Sequence, residues 1–383
     1  MIYLDHAATS YPKPPSVLAA VQEALAGLAG SADRSLGDAA VAAERLIYGA
    51  RTGVAALLGA ADPTSIVFTS NATEALNLAL LGVLRPGDHV VTTTLEHNSV
   101  ARPLQHLAEC HGVAVTRVGG PAPGLAPRAE DVARAIRDDT KLVAVTHASN
   151  VTGAIVPVAD IATAAHARGA LVLVDASQAA GGLPVSVEEL GADLLAFTGH
   201  KALLGPQGTG GLHIAPNVEV EPLVRGGTGS RSHEDRQPSF RPDCYESGTP
   251  NTPGLAGLGA AVSFLQAQGV AAVREHEVAL AAELLAGLRA IPGVTVYGPL
   301  PAAERVGLAT FNVADLDPAD VGQRLAAEHG IITRVGLHCA PWAHAELGTL
   351  ERGAVRASVS LFTRHEEVGA LIRAVEGMIR RPS

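Results

Sequence analysis

The stretch ALVLVDASQAAGGLPVSVEELGADLLAFTGHKALLGPQGTGGLHI, residues 170–214, contains three short apolar runs, at 171–174, 194–198 and 210–214. Each is too short for a helix and is bounded by turn residues, so each reads as a buried strand. The first run ends on Asp175. The second leads into Gly199-His200-Lys201, at the start of a glycine-rich loop. Working outward, β-branched runs at 65–68, 89–93, 113–118 and 141–146 also read as strands. Helical patterns follow at about 73–84, 99–111, 130–137 and 161–168. Repeated strand–helix units imply an α/β protein with a mostly parallel central sheet covered on both faces. In such sheets ligands collect at the carboxyl ends of the strands, where Asp175 and Lys201 fall.

Beyond residue 214 the rhythm changes. Residues 215–253 are rich in Gly, Pro and Arg, 254–290 read as one long helical stretch, and mixed strands and helices follow Pro292. The expected division is a large domain at 16–255 and a smaller α+β domain formed by 1–15 with 256–383. The chain has 383 residues, 47% of them hydrophobic and 17% charged, which suits a globular protein with a substantial core. A net charge of −10 lacks the basic footprint of a nucleic-acid binder. No apolar run is long enough to span a bilayer and no secretory leader is visible at MIYLDHAATS, so neither membrane nor nucleic acid is expected as a partner. Cys110, Cys244 and Cys339 fit neither a disulfide framework nor a metal site, and a reducing cytoplasm is the expected setting.

Only three lysines occur: Lys13, Lys141 and Lys201. Lys13 lies in PKPP, read as an extended, exposed turn. Lys141 follows Arg137-Asp138-Asp139 and reads as a solvated strand edge. Lys201 alone sits in a strand-end glycine-rich loop. Three polar segments accompany it. Asp175 could cap a turn, as acids after strands commonly do. Ser70-Asn71-Ala72-Thr73-Glu74 reads as a helix cap, and such a cap also forms an anion cradle. His97, in Glu96-His97-Asn98-Ser99, could cap a helix or shuttle protons.

Taken in order, YLDHAATS, FTSNATEALNLAL, EHNS, HASNVTG, VDASQ, FTGHK, ESGTPNTPG, RVGLHCAPWAH and VRASVSLF resemble the cysteine desulfurases of the class V aminotransferase family, over nearly the whole chain. The resemblance implies a fold type I enzyme with pyridoxal 5'-phosphate as cofactor. It implies that Lys201 holds the cofactor as a Schiff base and moves the Cα proton, that Asp175 pairs with the pyridine nitrogen, that Gln178 meets the ring oxygen and that His97 stacks on the ring. It assigns the phosphate to Ala72, Thr73, Thr198 and His200. Thr249 would reach the phosphate of a neighbouring subunit, hence a homodimer with shared sites. Ala7, Asn150 and Arg356 would bind the substrate, and Cys339 would be the nucleophile. The chain departs from the family's pattern at His6, where asparagine is common, and at Ala202-Leu203-Leu204, where an aromatic residue is common.

Among the cysteines, Cys110 in LAECHG reads as a small buried hydrophobe, and Cys244 precedes the segment of Thr249. Cys339 has Arg334 and His338 nearby, which would favour thiolate. The implied reaction is a sulfur transfer: L-cysteine becomes L-alanine, Cys339 carries a persulfide, and an acceptor protein or reductant removes the sulfur. The short interval between HCAP and VRAS resembles the group that also acts on selenocysteine. The competing readings are a selenocysteine lyase, or an aminotransferase or C–S lyase on the same scaffold. Because only one lysine is placed for carbonyl chemistry, borohydride reduction of protein loaded with pyridoxal phosphate is expected to fix the label on the peptide carrying Lys201. A label on Lys13 or Lys141 would refute the assignment.

Overall fold

A computed structural model describes residues 1–27 and 38–380. Its elements in chain order are β1 (Ile2–Tyr3), α1 (Pro15–Gly27), α2 (Asp38–Leu57), β2 (Ile66–Thr69), α3 (Ala72–Val83), β3 (His89–Thr93), α4 (Asn98–His111), β4 (Ala114–Val118), α5 (Ala129–Ala135), β5 (Thr140–Thr146), α6 (Val158–His166), β6 (Leu171–Asp175), β7 (Leu194–Thr198) and β8 (Gly210–Ile214). There follow α7 (Thr252–Gln268), α8 (Val270–Ala290), β9 (Val294–Tyr297), β10 (Leu308–Val313), α9 (Pro318–His329), β11 (Ile331–Ile332), β12 (Arg334–Gly336), α10 (Pro341–Glu346), β13 (Ala354–Ser358) and α11 (His365–Arg380).

The main sheet has seven strands in the order β2-β8-β7-β6-β5-β3-β4. Neighbours from β7 through β4 pair in parallel, and β8 alone runs against both of its neighbours. Strands β3 and β7 are buried throughout, as expected when helices cover both faces. The chain therefore delivers the carboxyl ends of β3, β5, β6 and β7 to one edge, and the loops that follow them build one site. The sequence-based strands at 89–93, 194–198 and 210–214 match the observed strands residue for residue.

A second sheet, β12-β13-β10-β9, is antiparallel. Its apolar face joins α8, α9 and α11 in a separate core that includes Phe311, Val355, Leu284 and Leu371. Leu4 belongs to this core, because β1 pairs in parallel with β11. Helix α7 instead buries Leu255, Leu258, Val262 and Leu265 in the larger core. The helical stretch at 254–290 is two helices rather than one. Gly269, at φ +78°, breaks it, and α7 and α8 meet at 78°. A positive φ is costly for other residues, so the glycine sets the corner. Among the described residues no single helix is long and apolar enough to cross a membrane; α7 and α8 meet that description only as a bent pair.

Gly181, after β6, is at φ +96°, and a Cβ there would lie 2.4 Å from the carbonyl oxygen of Ala202. The loop carrying Lys201 thus packs directly on a backbone that only glycine accommodates. Gly181→Ala is expected to cost about 1–3 kcal/mol and to lower the thermal midpoint, read by circular dichroism. An unchanged midpoint would show that the loop is not wedged in this way.

Candidate active site

The loops at the carboxyl edge enclose a cavity of about 220 Å³. Ala7, Ala72, Thr73, His97, Asn150, Asp175, Gln178, Thr198, His200, Lys201, Cys339 and Arg356 all line it. Residues far apart in sequence are thus brought together by the ends of β3, β5, β6 and β7, the start of α3 and the loop before α10. Thr249 lies outside this cavity. It is exposed and lines a separate surface hollow with Ser70 and Glu74.

Lys201 sits in the loop following β7. Burial pulls its amine down from the usual lysine value to about 8, against the opposing pull of Asp175. A lysine so desolvated is a nucleophile and base near neutral pH. Asp175 ends β6. One carboxylate oxygen accepts from the Ser177 backbone N–H at 2.9 Å and from its hydroxyl at 2.5 Å, which fixes the carboxylate plane. Gln178 donates through Nε2 to the carbonyl of Ala7 at 3.0 Å, which leaves its side-chain oxygen for another partner. Ser177 was not singled out from sequence, although an acid followed two residues later by serine is a common turn-capping signal.

His97 caps α4. Its Nδ1 accepts the Ser99 backbone N–H at 3.0 Å, which places the ring proton on Nε2. Burial, assisted by the charge of Lys201, lowers its pKa to about 4, so the imidazole is neutral. Ser99 links His97 to Thr73 through its hydroxyl, at 2.9 and 2.8 Å. Glu96, just before, is fully buried and pushed up to about 8 by burial. It accepts from the Thr93 hydroxyl and the Thr146 N–H, and so ties the ends of β3 and β5 together.

At the end of the cavity nearest α3, Asn71 caps the helix by accepting the Glu74 N–H at 3.0 Å. Thr198 Oγ1 and His200 Nδ1 are buried and have no hydrogen-bond partner among the described residues. Gly210 leaves room beside them, because a Cβ there would come within 2.7 Å of the Asn71 backbone.

Arg356, on β13, is 2% exposed. Nη2 donates to Asp5 at 3.0 Å and Nη1 to the Asn150 carbonyl at 2.9 Å, while Nε has no partner. Asp5 could not be found as its partner from sequence, because 351 residues separate them. The Asn150 amide donates to the His338 carbonyl at 2.7 Å. It therefore braces the cysteine loop as well as lining the cavity.

That loop is only residues 337–340, between β12 and α10. His338 and Cys339 both adopt positive φ, +51° and +56°. Such backbone is strained for residues other than glycine. The bond from Asn150 and one from the Asn98 N–H to the Cys339 carbonyl, at 2.7 Å, hold it in place. Cys339 itself is exposed. His338 does not supply positive charge to it: the ring is buried against His344 at 3.1 Å and burial keeps it neutral. The cations that interact with Cys339 are Lys201 and Arg356, and the exposed Arg334 also lines the cavity.

Two further sequence readings are corrected. Lys13 is not an exposed turn residue. It is partly buried and donates to Ser10 at 2.7 Å and to the His200 carbonyl at 2.9 Å, because the N-terminal segment folds back over the lysine loop. Cys110 is not buried. It lies on the open face of α4, with its sulfur 3.5 Å from His106.

The aminotransferase class-V family model matches residues 2–371. The chain belongs to that family. A probable cysteine desulfurase of Halalkalibacterium halodurans is 36% identical over 387 residues, covering 98% of this chain and 92% of the relative. A cysteine desulfurase of Pectobacterium atrosepticum is 34% identical, with 99% and 93% covered. Among solved structures, the apo cysteine desulfurase of Thermococcus onnurineus superposes with a TM-score of 0.93 at 34% identity, covering 99% of this chain and 94% of the other. The Escherichia coli cysteine desulfurase in its S-sulfonic acid form gives 0.89 at 31% identity, with the same coverage. The architecture of this class-V member is the expected fold type I arrangement, and the class-V family implies pyridoxal phosphate as cofactor.

Exposure separates the three thiols of this class-V chain. Iodoacetamide at neutral pH is expected to modify Cys339 and Cys110 and to spare Cys244, which is buried with its thiol pKa raised by burial. Peptide mapping after limited alkylation checks this. Fast labelling of Cys244 would contradict the burial.

Proposed function

We propose that the chain is a pyridoxal-phosphate-dependent cysteine desulfurase that converts L-cysteine to L-alanine and takes the sulfur onto Cys339. The observation that carries this reading is the presence, in one cavity, of a desolvated lysine and an exposed cysteine on a strained, braced loop. Transamination and simple elimination need the lysine but no thiol.

The residues present fit the cofactor. The unpartnered Thr198 Oγ1 and His200 Nδ1, beside Ala72 and Thr73 at the start of α3, suit a phosphate. Asp175 offers its second oxygen to a pyridinium, Gln178 its side-chain oxygen or spare amide hydrogen to the ring oxygen, and His97 a neutral ring face. When bound, the cofactor supplies an electron sink for the amino acid's carbon skeleton. Lys201 anchors it and afterwards takes the Cα proton, for which a pKa near 8 is well matched to neutral pH. Arg356 orients the substrate carboxylate from its buried position, with Asn150 and Ala7 framing the same space. The Cys339 thiolate attacks the substrate sulfur. A new S–S bond forms, the C–S bond breaks, and its electron pair stays with the carbon skeleton, which is protonated to alanine. The persulfide is then discharged to an acceptor protein or reductant.

The finer parts of the reading follow the family. The exposed Thr249, outside its own cavity, suits a contribution to the site of a second copy in a homodimer. The separate core containing Leu4 with residues 280–378 supports a small domain of 1–15 with 256–383 against a large one at 16–255, although α7 packs with the larger core. Residues 28–37 and 381–383 of those ranges lie outside the described residues. A cytoplasmic setting suits an exposed, reactive thiol. L-selenocysteine is a second substrate candidate.

Cys339→Ala is expected to lower alanine release from L-cysteine by about 10²-fold or more, while the borohydride label stays on Lys201. In the native protein, one turnover without reductant should add one sulfur atom to the peptide carrying Cys339. An unmodified peptide together with full activity of the variant would identify a lyase or transaminase instead.

A further inference from the structure

Behind Lys201, on the side away from Cys339, lies a second cavity of about 40 Å³. Lys201 lines both cavities and so forms part of the wall between them. Both departures from the family's motifs fall on this rear chamber: His6 on one side, Ala202 and Leu204 on another. Its far wall carries Glu277, from α8.

Glu277 is 7% exposed; among the described residues its carboxyl accepts no hydrogen bond, and the charge of Arg274 offsets only part of the effect of burial. Its Oε2 nestles against two glycines, since a Cβ at Gly182 or Gly307 would come within 3.2 or 3.3 Å of it. A buried carboxyl without a partner is costly, and here it faces a cavity with room for about two or three waters. His6, also on the chamber, is buried too; its Nδ1 has no partner of good hydrogen-bond geometry, although the Tyr3 backbone lies close enough to act on the ring. Among the described residues, Arg274 is the one charge that acts on Glu277; the other titratable groups on the chamber are His6 and Lys201. Arg274, one turn earlier on α8, spends its guanidinium on the carbonyls of Ala302, Ala303 and Arg305. His6 approaches from the N-terminal segment and Lys201 from the β7 loop, while β10 and β13 present only neutral residues.

We propose that the chamber holds ordered water bonded to Glu277 and His6, and that Glu277, acting through this water, is a positioning residue that exchanges a proton with the amine of Lys201. In one direction a proton leaves the Lys201 ammonium, passes along the water and neutralises the Glu277 carboxylate; in the other it returns. No other reactant is consumed. Burial raises Glu277 to about 8 and lowers Lys201 to about 8, so the exchange is close to balanced. The consequence for the reaction rests on the role given to Lys201 above: a lysine that lines both cavities gains a proton reservoir in the rear chamber.

The test uses the full chain freed of bound carbonyl compounds, with 13C-labelled lysine followed by NMR across pH. Three lysines give three assignable signals. Glu277→Gln should move the Lys201 midpoint to lower pH by about half a unit or more, leaving Lys141 in place. Glu277→Leu should do the same while raising the thermal midpoint, since an unpaired buried carboxyl is removed. Glu277→Asp should retain most of the native midpoint, because water can fill the space of one methylene. If the Lys201 midpoint stays put in both Glu277→Gln and Glu277→Leu, the carboxyl is structural only and the proposal fails. Failure of the desulfurase reading would show differently, as a borohydride label away from Lys201, with the midpoint shifts unaffected.

Discussion

The site depends on one buried ion pair. Arg356 reaches from β13 to Asp5 and to the Asn150 carbonyl, so a single guanidinium fastens the N-terminal segment, the loop after β5 and the second sheet to one another. Such a pair adds little net stability, because removing both charges from water offsets most of their attraction. Its value is geometric. Asn150, held by Arg356, in turn holds the carbonyl of His338, and that contact keeps Cys339 in its left-handed conformation. The position of the thiol is thus transmitted from a salt bridge it does not touch.

Burial tunes the remaining groups in the same direction, toward neutrality. Lys201 is drawn down, Glu96 is drawn up, and His97, His200 and His338 are all held below their usual range. A cavity whose histidines are held neutral near pH 7 lets the charges on Asp175, Lys201, Arg334 and Arg356 dominate the field felt by a ligand. The histidines then act as shaped hydrogen-bonding surfaces rather than as cations.

Most of the sheet was legible because its strands are short β-branched runs closed by turn residues, and because each functional segment follows a strand. The ends of 89–93, 194–198 and 210–214 could be read directly. What escaped reading is non-local or conformational. Nothing near Arg356 announces Asp5, and nothing near Lys13 announces the His200 carbonyl. The long helix was misread because Gly269 looks like a tolerated helix glycine until its positive φ is seen. His338 suggested a cation beside Cys339 because sequence adjacency carries no information on which way a ring turns. Cys110 suggested burial because residue type alone does not fix which helix face is covered.

The His200 carbonyl receives four donors from the N-terminal segment: the Ser10 N–H, the hydroxyls of Thr9 and Ser10, and the Lys13 ammonium. With the Asp5–Arg356 pair, this makes the first dozen residues a clasp across the finished cavity. A chain emerging from the ribosome at about 5–20 residues per second can make the bonds to His200 early, but it leaves Asp5 without Arg356 for a further interval on the order of ten seconds. The large sheet has all its strands by then, so the lysine loop is built first and the clasp is completed last.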